Sequence, residues 1–155
     1  MKLIGLYRER YEHYGHGRAN QAIVGLGGQV FMNPVSQDAV AQFRPYFDNA
    51  PVYGHGPTLE EFTEATPLTV GSPQQVIDRY ADMREHFGDY QRQLFLVDHA
   101  GLPLATVLDQ LEILGSEVVP VLRAELARNR PADVPDAPTH ASLRAARQLR
   151  ESRAT

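Results

Sequence analysis

The chain has 155 residues, no cysteine and a formal charge of −4. That length allows one modest core, and the lack of cysteine excludes disulfides, thiolate metal sites and cysteine nucleophiles. The acidic balance, with Lys and Arg scattered rather than striped, leaves no electrostatic footprint for nucleic acid or an anionic membrane.

No apolar run approaches the roughly 20 residues needed to span a bilayer. The first ten residues carry charge too early for a secretory signal, so the expected compartment is the cytoplasm. Residues 2–14 read as a helix with Leu3, Leu6, Tyr7, Arg10 and Tyr14 on one face, stopped by Gly15. Residues 21–32 read as a strand unusually rich in glycine. Gly25, Gly27 and Gly28 lie inside it, where glycine marks a bulge or the close approach of another group.

Ser36 is placed to cap a helix running to about Asp48, with Val40, Phe43 and Phe47 inward and Pro45 threatening a kink. Residues 49–57 are loop, and Thr58-Leu59-Glu60-Glu61 is a capping-box pattern that opens a short helix. Residues 67–123 then form the most structured run. A short strand ends at Gly71, and Ser72, Pro73 and Gln75 supply a cap, a first-turn proline and the return half of a capping box. Val76, Ile77, Tyr80, Met83 and Phe87 repeat at helical spacing. The run Gln93–Val97 is apolar enough for a strand covered on both faces. A last helix carries Leu104, Val107, Leu108, Leu111, Leu114 and Val118 as its stripe, and Val119-Pro120 should bend or end it. Residues 131–155 read as a proline-rich, mostly disordered tail behind a folded unit of residues 1–130.

Strand, helix, strand, helix with buried strands implies an α/β protein with a parallel sheet, whose ligands gather at the strand C-termini. Three strands leave two open edges, which natural proteins avoid. The chain therefore reads as part of something, completed by another segment or another copy.

Taken in order, several of these residues resemble one family. Val70–Ile77, the apolar strand, Gly101-Leu102-Pro103 and Glu117–Arg123 are similar to the C-terminal region of luciferase-like monooxygenases. Upstream, Tyr7-Arg8-Glu9, Gly15-His16, the strand ending in Val30-Phe31 and Phe43–Phe47 keep that order too, and so does Val134–Ser142 in the tail. The resemblance covers nearly all of the chain but only the second half of the family's barrel. It implies a partial TIM (β/α)8 barrel, roughly the last three β/α units. The implied activity is that of a flavin-dependent monooxygenase acting on an unknown small molecule. The cofactor would be FMN or the deazaflavin F420, neither expected to bind tightly to the lone chain. The implied partner is a missing N-terminal half, or a second copy in a homodimer. A closed barrel needs eight strands, so activity is expected to require that other half. The rival expectation is a non-catalytic half-barrel that self-associates or docks.

Five residues are candidates for chemistry. Asp98 and His99 end the most distinct strand, at the face where barrel enzymes work, and His99 is a candidate to bond flavin or substrate or to move a proton. The competing reading is that they satisfy loop amides. Gly71 and Ser72 sit where a helix N-terminus offers amides to a phosphate, against a plain helix cap. Gly28 would admit a flat ring to bare backbone, against simple close packing. His13, His16, His55 and His86 show no metal-ligand spacing, so no metal site is expected.

Overall fold

The computed structural model describes residues 2–51, 53, 56–128, 130, 132, 144, 145, 148, 151 and 152. The expectation of a tail over 131–155 falls for the most part outside them. Helix α1 spans Lys2–His13, and a single 3-10 turn follows at Ala19–Gln21. Strand β1 spans Gly25–Met32, α2 Ser36–Asn49, α3 Leu59–Ala65 and β2 Thr69–Gly71. Helix α4 is Pro73–Phe87, β3 is Arg92–Leu96 and α5 is Leu104–Ile113. One π-helical turn, Leu114–Val118, joins α5 to α6 at Val119–Arg128.

The capping chemistry settles where two of these helices start. Ser72 Oγ accepts the Gln75 amide at 3.3 Å while Gln75 Oε1 accepts the Ser72 amide at 2.9 Å. Thr58 and Glu61 form the same reciprocal pair ahead of α3. Gly88, at φ 71°, ends α4 in a conformation that glycine reaches without strain. Ser36 does not cap α2. Val35 takes the cap position, Asn33 Oδ1 accepts the Val35 amide at 2.9 Å, and the Ser36 hydroxyl donates instead to Gln75 Oε1 at 2.6 Å. Pro120 does not end the last helix either. Its ring would collide with a carbonyl one turn earlier, and the wide π turn absorbs the misfit so that α6 continues.

The sheet is parallel, three-stranded and ordered β2-β1-β3. The flanking strands are staggered along β1, with Gly25–Gln29 in register with Arg92–Leu96 and Val30–Met32 in register with Thr69–Gly71. A barrel sets consecutive strands side by side, whereas here β1 stands between β2 and β3. The parallel α/β expectation holds, and the sheet order departs from the consecutive one.

Two corrections concern what is covered. Strand β3 is not buried on both faces. Phe95 meets the Tyr80 ring edge-on, with centroids 4.8 Å apart, but Leu94 is 59% exposed and Leu96 48%. Alternation along parallel strands puts Gly25, Gly27 and Gln29 on the same face as their register partners Arg92, Leu94 and Leu96. Gly25 and Gly27 are exposed as well. Among the described residues this face is covered at its C-terminal end, where Phe31 packs on Phe43 of α2 with centroids 5.1 Å apart. Helix α5 likewise turns Leu104, Leu108 and Leu111 to solvent. Of the expected stripe, Val107, Leu114 and Val118 are buried as read, and Gln110 rather than a leucine completes their line. Helix α1 forms where the sequence places a shared face, and none of its residues is buried.

Candidate functional site

Strand β1 is longer than its neighbour β3, so its upper edge has backbone groups that no strand reaches. Alternation turns Val30 and Met32 toward that edge, and side chains complete it. His99 Nε2 lies 3.1 Å from the Val30 carbonyl. A carbonyl only accepts, so Nε2 carries the proton, and Nδ1 must accept from the Tyr53 hydroxyl at 3.0 Å. Gln110 Oε1 accepts the Met32 amide at 2.5 Å, and Gln110 Nε2 donates to the Met32 carbonyl at 2.8 Å. The Gln110 amide thus stands in for one residue of a missing strand. At the lower end, Gln91 Oε1 accepts the Val24 amide at 2.8 Å in the same manner.

His99 is buried, and its ring lies 5.1 Å from that of Phe43, beside the stacked pair Phe47 and Tyr53. Burial pulls its pKa below the ordinary imidazole value, against the opposing pull of the Val30 carbonyl and the Asp98 charge. Burial also raises the Tyr53 hydroxyl. The neutral imidazole is held between two fixed partners, so a proton could leave or enter it only by breaking one of them. The next residue, Ala100, has φ 59° and opens a tight turn that Leu102 closes by donating its amide to the His99 carbonyl at 3.2 Å. Asp98 is exposed, and its charge is what reaches the His99 ring.

The glycines and Ser72 are also occupied. A Cβ on Gly28 would sit 1.7 Å from the Tyr80 hydroxyl, so this glycine exists to admit that ring. Tyr80 is fully buried, its hydroxyl donates to the Pro67 carbonyl at 3.1 Å, and burial pushes its pKa up to about 12. A Cβ on Gly71 would sit 2.3 Å from Gln75 Oε1, the atom that closes the capping box on Ser72. Flavin therefore does not fit Gly28, Gly71, Ser72 and His99. Their free valences and free space go to Tyr80, Gln75, Tyr53 and β1.

A cleft of about 860 Å3 opens nearby, between the end of α2 and the Ala100–Gly101 turn. None of the five candidates lines it. Among the described residues no three His, Asp or Glu side chains come together as a metal site, and no helix is long and apolar enough to cross a membrane. His55 lies outside the described residues. Gln110 and Tyr53 are the residues that the sequence reading missed. Gln110 had a signal, since it continues the Val107–Leu114 line at helical spacing and a lone amide there needs partners. No family model matches the chain, and no curated protein matches it.

Proposed function

We propose that this chain is one component of a larger α/β assembly, and that the assembly is a luciferase-like oxidoreductase using FMN or F420. The observation that supports the assembly is the open face of β1 and β3. Leu94 and Leu96 stand half exposed beside the bare backbone of Gly25 and Gly27, where side chains of another polypeptide find apolar cover. Full burial of a leucine is worth about 1.5–3 kcal/mol, so covering this pair contributes about 1–2 kcal/mol from each. Helix α5 also exposes Leu104, Leu108 and Leu111. The oxidoreductase part rests on the resemblance carried by Val70–Ile77, Gly101–Pro103 and Glu117–Arg123.

On this reading the flavin is held by the completed assembly. The residues this chain offers at its strand ends are committed to its own fold. Closing a partial TIM barrel would also require β3 to exchange β1 for other neighbours. The order β2-β1-β3 favours a second reading, a non-catalytic α/β unit that docks or self-associates without any barrel.

Flavin titration separates the two. FMN fluorescence is followed as the lone chain is added, and again with the chain mixed with the first half of a luciferase-like barrel. The proposal expects no saturable quenching by the lone chain and saturable quenching by the mixture. Saturable one-to-one binding by the lone chain would overturn the statement that it holds no flavin. A mixture that forms a complex but never quenches would remove the oxidoreductase part and leave the docking unit.

A further inference from the structure

Strand β3 is an edge of the sheet, and no strand of the described residues lies beyond it. The Arg92 amide points inward, to the Val24 carbonyl at 3.3 Å. Alternation therefore turns the N–H and C=O groups of Gln93 and Phe95 outward. A groove of about 450 Å3 between this edge and α6 leaves room beside it. The outward groups are symmetric about Leu94. A two-fold axis through Leu94 sets Gln93 of one copy opposite Phe95 of another, and each such pair exchanges two main-chain bonds. Leu94 then faces Leu94 of the second copy in a non-hydrogen-bonded pair, with Cα atoms about 4.5 Å apart. Leu94 is 59% exposed in the lone chain, so this contact buries apolar surface at the axis itself.

Charge sets the direction of pairing. Arg92 begins the strand, and the exposed Asp98 follows its end. Antiparallel pairing brings each Arg92 toward the second copy's Asp98, whereas parallel pairing would set the two arginines side by side. Arg92 already has a partner in its own chain, and what it adds here is the sign of its charge. Residues 93–96 carry no proline and no charge, the devices that keep natural edges apart. We propose that two copies of this chain pair antiparallel through β3, centred on Leu94, and join their sheets edge to edge. The strand has five residues, against roughly 20–30 a side in a standard interface, so the dimer is weak, with Kd on the order of 100 µM. The inference extends the self-association reading, and flavin titration neither supports nor removes it.

Sedimentation equilibrium of the full chain from about 10 to 500 µM brackets that affinity, and the parent should pass from monomer to dimer across it. Leu94→Lys and Leu94→Glu change an exposed site and should keep the circular dichroism of the parent. Each alone should weaken association at least about tenfold, because like charges then meet on the axis. Their equimolar mixture should associate at least about tenfold more tightly than either alone. The chain has no cysteine, so Leu94→Cys under mild oxidation should give a single interchain disulfide, its Cα spacing lying in the bridging range. Leu104→Cys, at a site 73% exposed on α5, should link at least about tenfold more slowly. A parent that stays monomeric, a dimer that survives Leu94→Lys, a mixture no tighter than its parts, or equal linking at both sites would each overturn the proposal.

Discussion

Gln110→Met is the sharpest perturbation of the fold, because it keeps side-chain length and helix propensity while deleting one amide. In the native protein that amide accepts from Met32 N–H at 2.5 Å and donates to Met32 C=O at 2.8 Å. Gln110 is 3% exposed and Met32 1%, so water cannot replace it. Two buried backbone groups left without partners cost about 2–6 kcal/mol together, at about 1–3 each. The thioether is easier to bury than an amide, which returns about 1–2 kcal/mol. Taking the middle of each range, the net expectation is a loss of about 2.5 kcal/mol, read as a fall of about 5–10 °C in Tm for a chain of this size. Urea unfolding followed by circular dichroism measures it directly. Gln110→Glu adds a second reading. Its carboxylate accepts from Met32 N–H but cannot donate to the carbonyl, while the protonated acid can do both. This variant should therefore recover stability relative to Gln110→Met as the pH falls. A loss below about 0.5 kcal/mol for Gln110→Met, the size of an ordinary surface change, would refute the claim that Gln110 completes the edge of β1.

Gly28→Ala should cost about 1–3 kcal/mol by overpacking against Tyr80. In a Tyr80→Phe background the cost should shrink without vanishing, because the hydroxyl at 1.7 Å is gone but the ring carbon at 2.7 Å remains; a urea double-mutant cycle measures the coupling. Ser72→Ala should lose about 1 kcal/mol with the cap of α4, seen as reduced thermal stability. His99 titrates lower in the folded protein than the usual value of about 6.5. Its contribution is thus complete above that value and is lost as the pH falls through the folded pKa, where the unfolded chain binds the extra proton. Thermal unfolding across this acid range should show the slope in the native chain and a flatter one in His99→Gln.

The sequence resolves what is local and leaves open what depends on neighbours far along the chain. The start of α4 was legible because Ser72, Pro73 and Gln75 carry their hydrogen bonds within one turn. The parallel sheet followed from strands separated by helices. The faces of β3 were not legible, because an apolar run is the same string whether one or two layers cover it. On α5 the sequence puts Leu104, Leu108 and Leu111 on the stripe with Val107 and Leu114, and only the stagger of β3 against β1 explains why Gln110 is buried and those three leucines are not. His99, read from the sequence as ending the strand, lies in the loop three residues past the end of β3. Its partners Tyr53 and Val30 lie 46 and 69 residues away, and no spacing rule connects them. They make the imidazole a fixed tie between β1 and the residues after α2.

The measurement closest to the central claim is the unfolding free energy of the chain carrying Leu94→Glu and Leu96→Glu together. If this face awaits another polypeptide, the two leucines support little in the lone chain. Stability should then stay within about 1 kcal/mol of the parent at high and low protein concentration. A loss of about 3 kcal/mol or more, typical of buried leucine, would show that the chain covers this face itself and would contradict the assembly reading.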